Sequence, residues 1–219
     1  MSAPDQWLLW QLADSAFPAG SFGHSNGLEA AWQLGEIPGG TAFEKFARAS
    51  LLQLKRASLP FVLDSHSNPG RFSELDELSD VFLSNHVANR GSRLMGKSFI
   101  VASEQAFPCV ALAEFRKNAR IGHLAPAFGA IVRILEIDRP SAARLFTYMH
   151  LRGLLASAVR LGIIGPLEAQ RCQFKLAPAA EAAAQDSLKF SVDDLAQTAP
   201  LLDVWQGTHD RLYSRLFQT

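Results

Sequence analysis

The sequence predicts an all-α protein: one compact bundle of mostly antiparallel helices with short loops, spanning residues 1–219 as a single domain. Apolar residues recur at three- and four-residue steps along most of the chain, as on amphipathic helices. No run of alternating β-branched and aromatic residues bounded by turns predicts a strand. Glycine and proline cluster in a few short loops, which favour antiparallel neighbouring helices. At 219 residues and 48% hydrophobic, the chain can bury a substantial core.

Individual helices follow from local patterns. One begins near Thr41, and its apolar positions have helical spacing: Phe43, Phe46, Ala47, Leu51 and Leu54. Another runs from Ser141 to Leu161, with Pro140 at its start and Gly162 at its end, where these residues are favoured. Residues 166–187 are rich in helix formers, and Pro178 is predicted to interrupt or kink this helix. A last helix is predicted within residues 193–213, with Pro200 near a break.

Charge and cysteine content restrict the class of protein. Lysine plus arginine equals aspartate plus glutamate, at 21 each, so no global field attracts nucleic acid or anionic lipid. Cys109 and Cys172 are far apart and outside any metal or redox motif, which is typical of a reducing compartment. We expect neither a secretory leader nor a membrane-spanning segment, because no basic and apolar leader pattern is recognised and no apolar run has the length of a bilayer crossing. The sequence therefore predicts a cytoplasmic protein that binds neither nucleic acid nor membrane.

Residues Gly91–Ser98 match the phosphate-binding pattern GxxxxGK[ST] letter for letter. A P-loop joins a buried strand to a helix so that backbone N–H groups surround the phosphates. The ten preceding residues have helical spacing and polar side chains where a buried strand would be apolar. We therefore predict a helix in which Met95, Phe99 and Ile100 pack while Arg93 and Lys97, four residues apart, lie exposed on one basic face. A P-loop NTPase remains the alternative, which nucleotide binding would support.

No other motif predicts chemistry. The six histidines are not paired with each other or with cysteine at metal-ligand spacing, and HExxH and GxSxG are absent. The acidic residues Glu74, Asp76, Glu77 and Asp80 are predicted to form the solvated face of a helix rather than a metal site. We predict no catalytic residues, no metal ligands and no enzymatic activity.

Four segments resemble the UreF family of urease accessory proteins. Residues 8–31 combine a helix, a PxGxF loop (Pro18 to Phe22) and the string His24-Ser25-Asn26-Gly27-Leu28-Glu29. The other three are residues 89–98, residues 155–162 with residues 165–170, and His209 followed by Tyr213-Ser214-Arg215-Leu216-Phe217. They follow one another in order and span almost the whole chain.

The resemblance implies an all-helical protein that acts in urease maturation. Such proteins bind the accessory protein UreD, also called UreH, and recruit the GTPase UreG to deliver nickel to apo-urease. The resemblance also implies that the protein forms a homodimer within that complex. The resemblance implies no intrinsic cofactor, because the complex handles nickel and UreG binds GTP.

Two segments and two arginines are candidate partner-binding residues. The first segment contains Phe17, Pro18, Gly20, Phe22, His24 and Ser25. Its aromatic side chains either contact a partner or cap the core, Ser25 is a candidate N-cap of the next helix, and His24 is structural rather than a nickel ligand. The second contains Tyr213, Arg215, Leu216 and Phe217, of types enriched at binding hot spots.

The alternative for this second segment is plain core closure. Chain ends often order on docking, so residues 209–219 are also a candidate for ordering only with the partner. Arg152 and Arg160, eight residues apart on one helix, lie on nearly the same face. They either serve a dimer or UreG surface or are simply solvated.

Overall fold

The computed structural model describes residues 3–219, apart from the side chains of residues 3–5 and Ser21. These residues form eleven α-helices and no strand. The helices are α1 (Ala3–Ala13), α2 (Leu28–Gln33), α3 (Gly40–Ala57), α4 (Leu59–Ser67), α5 (Phe72–Phe82), α6 (His86–Ala106), α7 (Val110–Asn118), α8 (Leu124–Ile134), α9 (Arg139–Arg160), α10 (Pro166–Ser187) and α11 (Pro200–Thr208). The all-α prediction is confirmed.

The core lies where α8 packs between α4 and α6, with α9 and α10 alongside. Phe128 on α8 is fully buried, and its ring centroid lies 5.3 Å from that of Phe99 and 5.0 Å from that of Phe146. Gly129 allows α8 to approach α4 closely, because a Cβ there would lie 2.1 Å from the carbonyl oxygen of Val62. None of the helices in the described part of the chain combines the length and hydrophobicity that crossing a bilayer requires.

The long helix α9 begins and ends close to the predicted residues. The Asp138 carboxylate accepts a hydrogen bond from the backbone N–H of Ser141 at 2.9 Å and so caps the helix, while Pro140 occupies the first turn. Gly162, which follows the last turn, has φ +71°, a conformation that favours glycine at a helix C-terminus.

Two sequence-based predictions are wrong in part: the interruption of α10 predicted at Pro178, as distinct from a kink, and the wholly solvated acidic face of α5. Pro178 does not interrupt α10, which continues from Pro166 to Ser187. Pro178 and the residue one turn earlier, Phe174, are both exposed, so water can hydrogen-bond the Phe174 carbonyl group, which receives no N–H from Pro178. The acidic face of α5 is not wholly solvated, because Asp76 is only 2% exposed. Its carboxylate accepts the backbone N–H groups of Gly122 and His123, at 2.8 and 2.7 Å, and fixes the α7–α8 connection.

The P-loop-like segment lies in the middle of α6, with neither the preceding strand nor the loop of a phosphate site. Its glycines allow close packing. A Cβ at Gly96 would lie 2.1 Å from the carbonyl oxygen of Gly122, and one at Gly91 would lie 2.8 Å from the Thr219 hydroxyl. Phe99 and Ile100 are buried, while Arg93 and Lys97 are exposed. The prediction of a packed helix is confirmed, and this segment does not have the strand–loop–helix geometry that the P-loop alternative requires.

Candidate functional site

The two segments singled out by the sequence lie side by side. The backbone N–H of Gln218 donates to the carbonyl of Gly23 at 2.8 Å, and the N–H of Ser25 donates to the main-chain oxygen of Thr219 at 2.7 Å. We call residues 17–25, which precede α2, the loop, and residues 209–219 the tail. The loop and the tail therefore form one structural unit. Nearly two hundred residues separate the two segments in sequence.

A buried carboxylate on α2 holds the tail in place. Glu29 is 1% exposed, and its two oxygens accept the backbone N–H groups of Leu216 at 2.6 Å and Phe217 at 3.2 Å. The Nε2 atom of His209, which is fully buried, lies 3.2 Å from the same carboxylate. The tail has no regular helix from Leu212 onward, so the carboxylate supplies acceptors that a helix would otherwise provide for these N–H groups.

Arg160 joins the loop to the tail from the end of α9. Its guanidinium carbon lies 4.1 Å from the ring centroid of Phe22 and 4.2 Å from that of Phe217, within cation–π range of both. It also donates a hydrogen bond to the carbonyl of Phe22. Two turns earlier, Arg152 donates to the carbonyl of Ala13 at the end of α1. Neither arginine is simply solvated, as one alternative held, because both hold the N-terminal segment against α9.

His24 and Ser25 are structural members of this unit. His24 is 4% exposed and its Nδ1 hydrogen-bonds the Thr219 hydroxyl. Burial, reinforced by the charge of Arg90, lowers the pKa of His24 to about 4, so its ring is neutral at pH 7. Ser25 does not cap α2, and that prediction is wrong. Asn26 and Gly27 adopt positive φ angles of 52° and 83°, which delay the helix until Leu28.

The remaining loop and tail residues divide into an inner and an outer set. Phe17 packs inward, with its ring centroid 5.9 Å from that of Phe99, and Phe217 is 5% exposed. The side chains of Phe22, Tyr213 and Leu216 are 66%, 105% and 51% exposed. Pro18, Gly20 and Arg215 are also exposed. We call Phe22, Arg160, Tyr213, Arg215 and Leu216 the loop–tail surface.

Asp210 connects the tail to α6. The Arg90 guanidinium donates to both of its carboxylate oxygens, at 3.0 and 2.7 Å, and His86 and Arg215 lie 3.2 and 3.4 Å away. The hydrogen bond from Arg90 lowers the pKa of Asp210 to about 2. The tail is thus anchored by a buried carboxylate at one end and by a partly exposed ion pair at the other.

Sequence reasoning did not single out Glu29 or Asp210. Glu29 carries a usable signal, because it follows Leu28 and precedes Ala30 and Ala31, all of them buried. A charge within an apolar helical run is expected to have a specific partner. Among the described residues, no three or more His, Cys, Asp or Glu side chains are arranged to hold a metal ion. Cys109 and Cys172 are both free thiols.

Comparison with known proteins agrees with the resemblance in the sequence. The family model described as UreF matches residues 38–177. The urease accessory protein F of Oryza sativa subsp. indica is 32% identical over the whole of this chain and 87% of its own length. That of Arabidopsis thaliana is 33% identical over 97% of this chain and 92% of its own. The loop and tail lie outside residues 38–177, but these relatives extend over nearly all of the chain. The chain belongs to the UreF family of urease accessory proteins.

Proposed function

We propose that this chain is a non-catalytic adaptor in urease maturation. It binds UreD (UreH) and recruits the GTPase UreG to the complex that delivers nickel to apo-urease. Membership of an accessory-protein family supports this role. Nickel is the cargo of the complex and GTP is the ligand of UreG, so this chain needs no cofactor of its own. Its two free thiols suit a reducing cytoplasm.

The observation that supports the binding role best is the construction of the loop–tail surface. Phe22, Tyr213 and Leu216 expose large apolar side chains, while Glu29 and Arg160 hold the backbone beneath them. Aromatic and arginine side chains dominate binding hot spots, and a backbone fixed before docking lowers the entropic cost of association. We assign this surface to UreD. Pro18 and Gly20 extend it along the loop.

The tail also admits two other roles. It either completes the core through Phe217 or, as the sequence suggested, becomes ordered only when the partner docks. Phe217 belongs to the hydrophobic core cluster, and the outward side chains of Tyr213 and Leu216 take no part in it. We therefore propose that the inner tail residues close the core and the outer ones bind the partner. A homodimer within the complex is part of the same proposal, with UreG bound at a separate face.

Co-purification with UreD and UreG tests the proposal. We expect the full chain to retain both proteins, and truncation after Asp210 to remove UreD. Because truncation also exposes core, Tyr213→Ala with Leu216→Ala provides a milder variant, expected to weaken UreD binding about tenfold or more if these side chains are hot spots. Leu167→Ala with Phe174→Ala, which are 76% and 83% exposed on α10, is the matched control. Unchanged UreD retention by both tail variants would contradict the assignment of the surface.

Mg–GTP binding addresses the catalytic alternative. We expect the isolated chain to show no tight Mg–GTP binding, because its backbone N–H groups at residues 91–98 lie within a continuous helix. Tight binding that is lost in Lys97→Ala would overturn the adaptor assignment.

A further inference from the structure

A row of basic side chains runs along the outer face of α6. His86, Arg90, Arg93 and Lys97 are spaced four, three and four residues apart, which places them within an arc of roughly 60° at 3.6 residues per turn. The row extends over roughly 16 Å of helix. It borders a groove of about 690 Å³ between the end of α5 and α6. We call these four residues the basic stripe.

The charges of the basic stripe are only partly neutralised within the described residues. Arg90 is paired with Asp210, and His86 lies beside the same carboxylate. Arg93 and Lys97 form no ion pair within 4 Å in the part of the chain that the structure describes. The one carboxylate among the residues that line the groove, Asp80, accepts hydrogen bonds from Asn89 and His123, and its charge interacts with that of Arg93 without forming an ion pair. The groove therefore has unpaired positive charge on a protein of zero net charge.

The groove also has an apolar component. Leu94 is 45% exposed between Arg90 and Lys97, and Leu83 lies across from it at the end of α5. A ligand that satisfied the charges alone would leave these side chains in water. A ligand with both carboxylates and apolar groups would match the whole groove, since charge complementarity and apolar burial occur together in protein interfaces.

We propose that the basic stripe is a docking site for an acidic segment of a partner protein, one that alternates or mixes Asp or Glu with apolar residues. An extended segment of about five residues spans the same roughly 16 Å, at about 3.3 Å per residue. Guanidinium groups bind carboxylates through two parallel hydrogen bonds, as Arg90 already does with Asp210. Arg93 and Lys97 supply the charges that are still unpaired.

The structure favours a protein partner over nucleic acid or a phosphate ligand. The glycines that a phosphate cradle would need, Gly91 and Gly96, face inward against the tail and the α7–α8 connection. The backbone N–H groups of α6 are committed to the helix, so no nest for phosphate exists here. A nucleic-acid surface needs positive charge spread over many phosphates, whereas this stripe is one helix face on a neutral protein.

The stripe continues into the loop–tail surface through the pair between Arg90 and Asp210, which is a tail residue. An acidic segment on the protein that docks at the tail would therefore reach the stripe. The identity of this partner rests on the proposed function. The binding of a generic acidic peptide does not rest on it, and such a peptide therefore tests the stripe independently.

The first experiment uses the isolated full chain and a fluorescent peptide of alternating Glu and Leu residues. We expect binding that weakens as salt rises and that falls about tenfold or more in the double variant Arg93→Glu/Lys97→Glu, because like charges would then oppose each other. The control is Lys45→Glu/Arg48→Glu, which reverses two exposed charges three residues apart on α3. A single-stranded oligonucleotide and anionic phosphatidylserine vesicles are tested beside the peptide.

Binding of the peptide that depends on Arg93 and Lys97 supports the docking site. Three results would overturn it: no binding of the peptide, an equal loss of binding in the α3 control, or tighter binding of the oligonucleotide or vesicles through the same two residues.

The second experiment repeats the co-purification with UreD and UreG. If the unaltered chain retains them and Arg93→Glu/Lys97→Glu does not, the stripe is a site for the maturation partners. If the charge reversal leaves retention intact, that assignment fails while the adaptor function stands. If the unaltered chain retains neither, the proposed function fails and the peptide result alone decides the docking site.

Discussion

Replacing Glu29 with glutamine should release the tail without unfolding the helical body. The Glu29 carboxylate accepts three hydrogen bonds, two from tail N–H groups and one from His209. Glutamine offers one acceptor oxygen, so its amino group must face at least one of these donors. Losing one charge-assisted bond and weakening the others amounts to about 3 kcal/mol. That corresponds to roughly a hundredfold change in the equilibrium between the docked and the released tail.

Amide hydrogen exchange measures the opening of the tail directly. We expect residues 212–218 to exchange about a hundredfold faster in Glu29→Gln, whereas the exchange of α4 and α8 stays the same, because local opening is read separately from global unfolding. Glu36→Gln is the matched control, since Glu36 is exposed in the loop after α2. UreD retention should fall in step with tail release.

Three outcomes would refute this reasoning. Unchanged exchange in the tail would mean that Glu29 does not hold it. Equal acceleration in the tail and in α4 would mean that the tail is part of the cooperative core, with no separate opening. If residues 212–218 already exchange freely in the unaltered chain, the tail becomes ordered only with its partner, as the sequence suggested.

Three further changes have defined expectations. Gly96→Ala should cost about 3 kcal/mol or more in urea unfolding, since its Cβ would lie 2.1 Å from the carbonyl oxygen of Gly122, and an unchanged midpoint would contradict the close contact. Arg160→Ala should cost about 2 kcal/mol in the same assay from two cation–π contacts and one hydrogen bond, and a loss below about 0.5 kcal/mol would contradict it. The pKa values of His24 and His150 are lowered from 6.5 to about 4, mainly by burial, so the unfolded chain takes up protons at a higher pH than the folded one. Stability should therefore be highest above about pH 6.5 and fall as pH decreases toward 4, and a constant unfolding midpoint across this range would contradict the assignment.

Local signals were sufficient for most of the helices. Residues Thr41 and Ser141 were predicted to open helices that begin at Gly40 and Arg139, because apolar spacing and proline or glycine at the ends act within a few residues. The interruption predicted at Pro178 does not occur, because on an exposed helix face water can satisfy the carbonyl group that proline leaves without an N–H donor. Such errors come from tertiary context, which the sequence pattern does not contain.

The burial of Asp76 could have been predicted from its position on α5. Phe72, Leu75, Asp76 and Ser79 form the buried face of α5 at the spacing i, i+3, i+4 and i+7. Asp76 thus lies on the same face as two apolar anchors, which the clustering of acidic letters obscured. The partners of Asp76 and Glu29 were beyond prediction, since they lie 46 and about 187 residues away in the chain. Only the fold brings such groups together.

The letters of the P-loop pattern each have a separate structural cause in α6. Gly91 makes room for Thr219, Gly96 makes room for the backbone at Gly122, and Lys97 faces solvent in the basic stripe. These causes are independent, so their variants should separate: changes at either glycine should lower stability, and charge reversal at Lys97 should change binding alone. In a true phosphate cradle all three positions would fail together, through one lost ligand. Whether the variants affect stability and binding separately is therefore a sharper test of this segment's role than its match to the P-loop pattern.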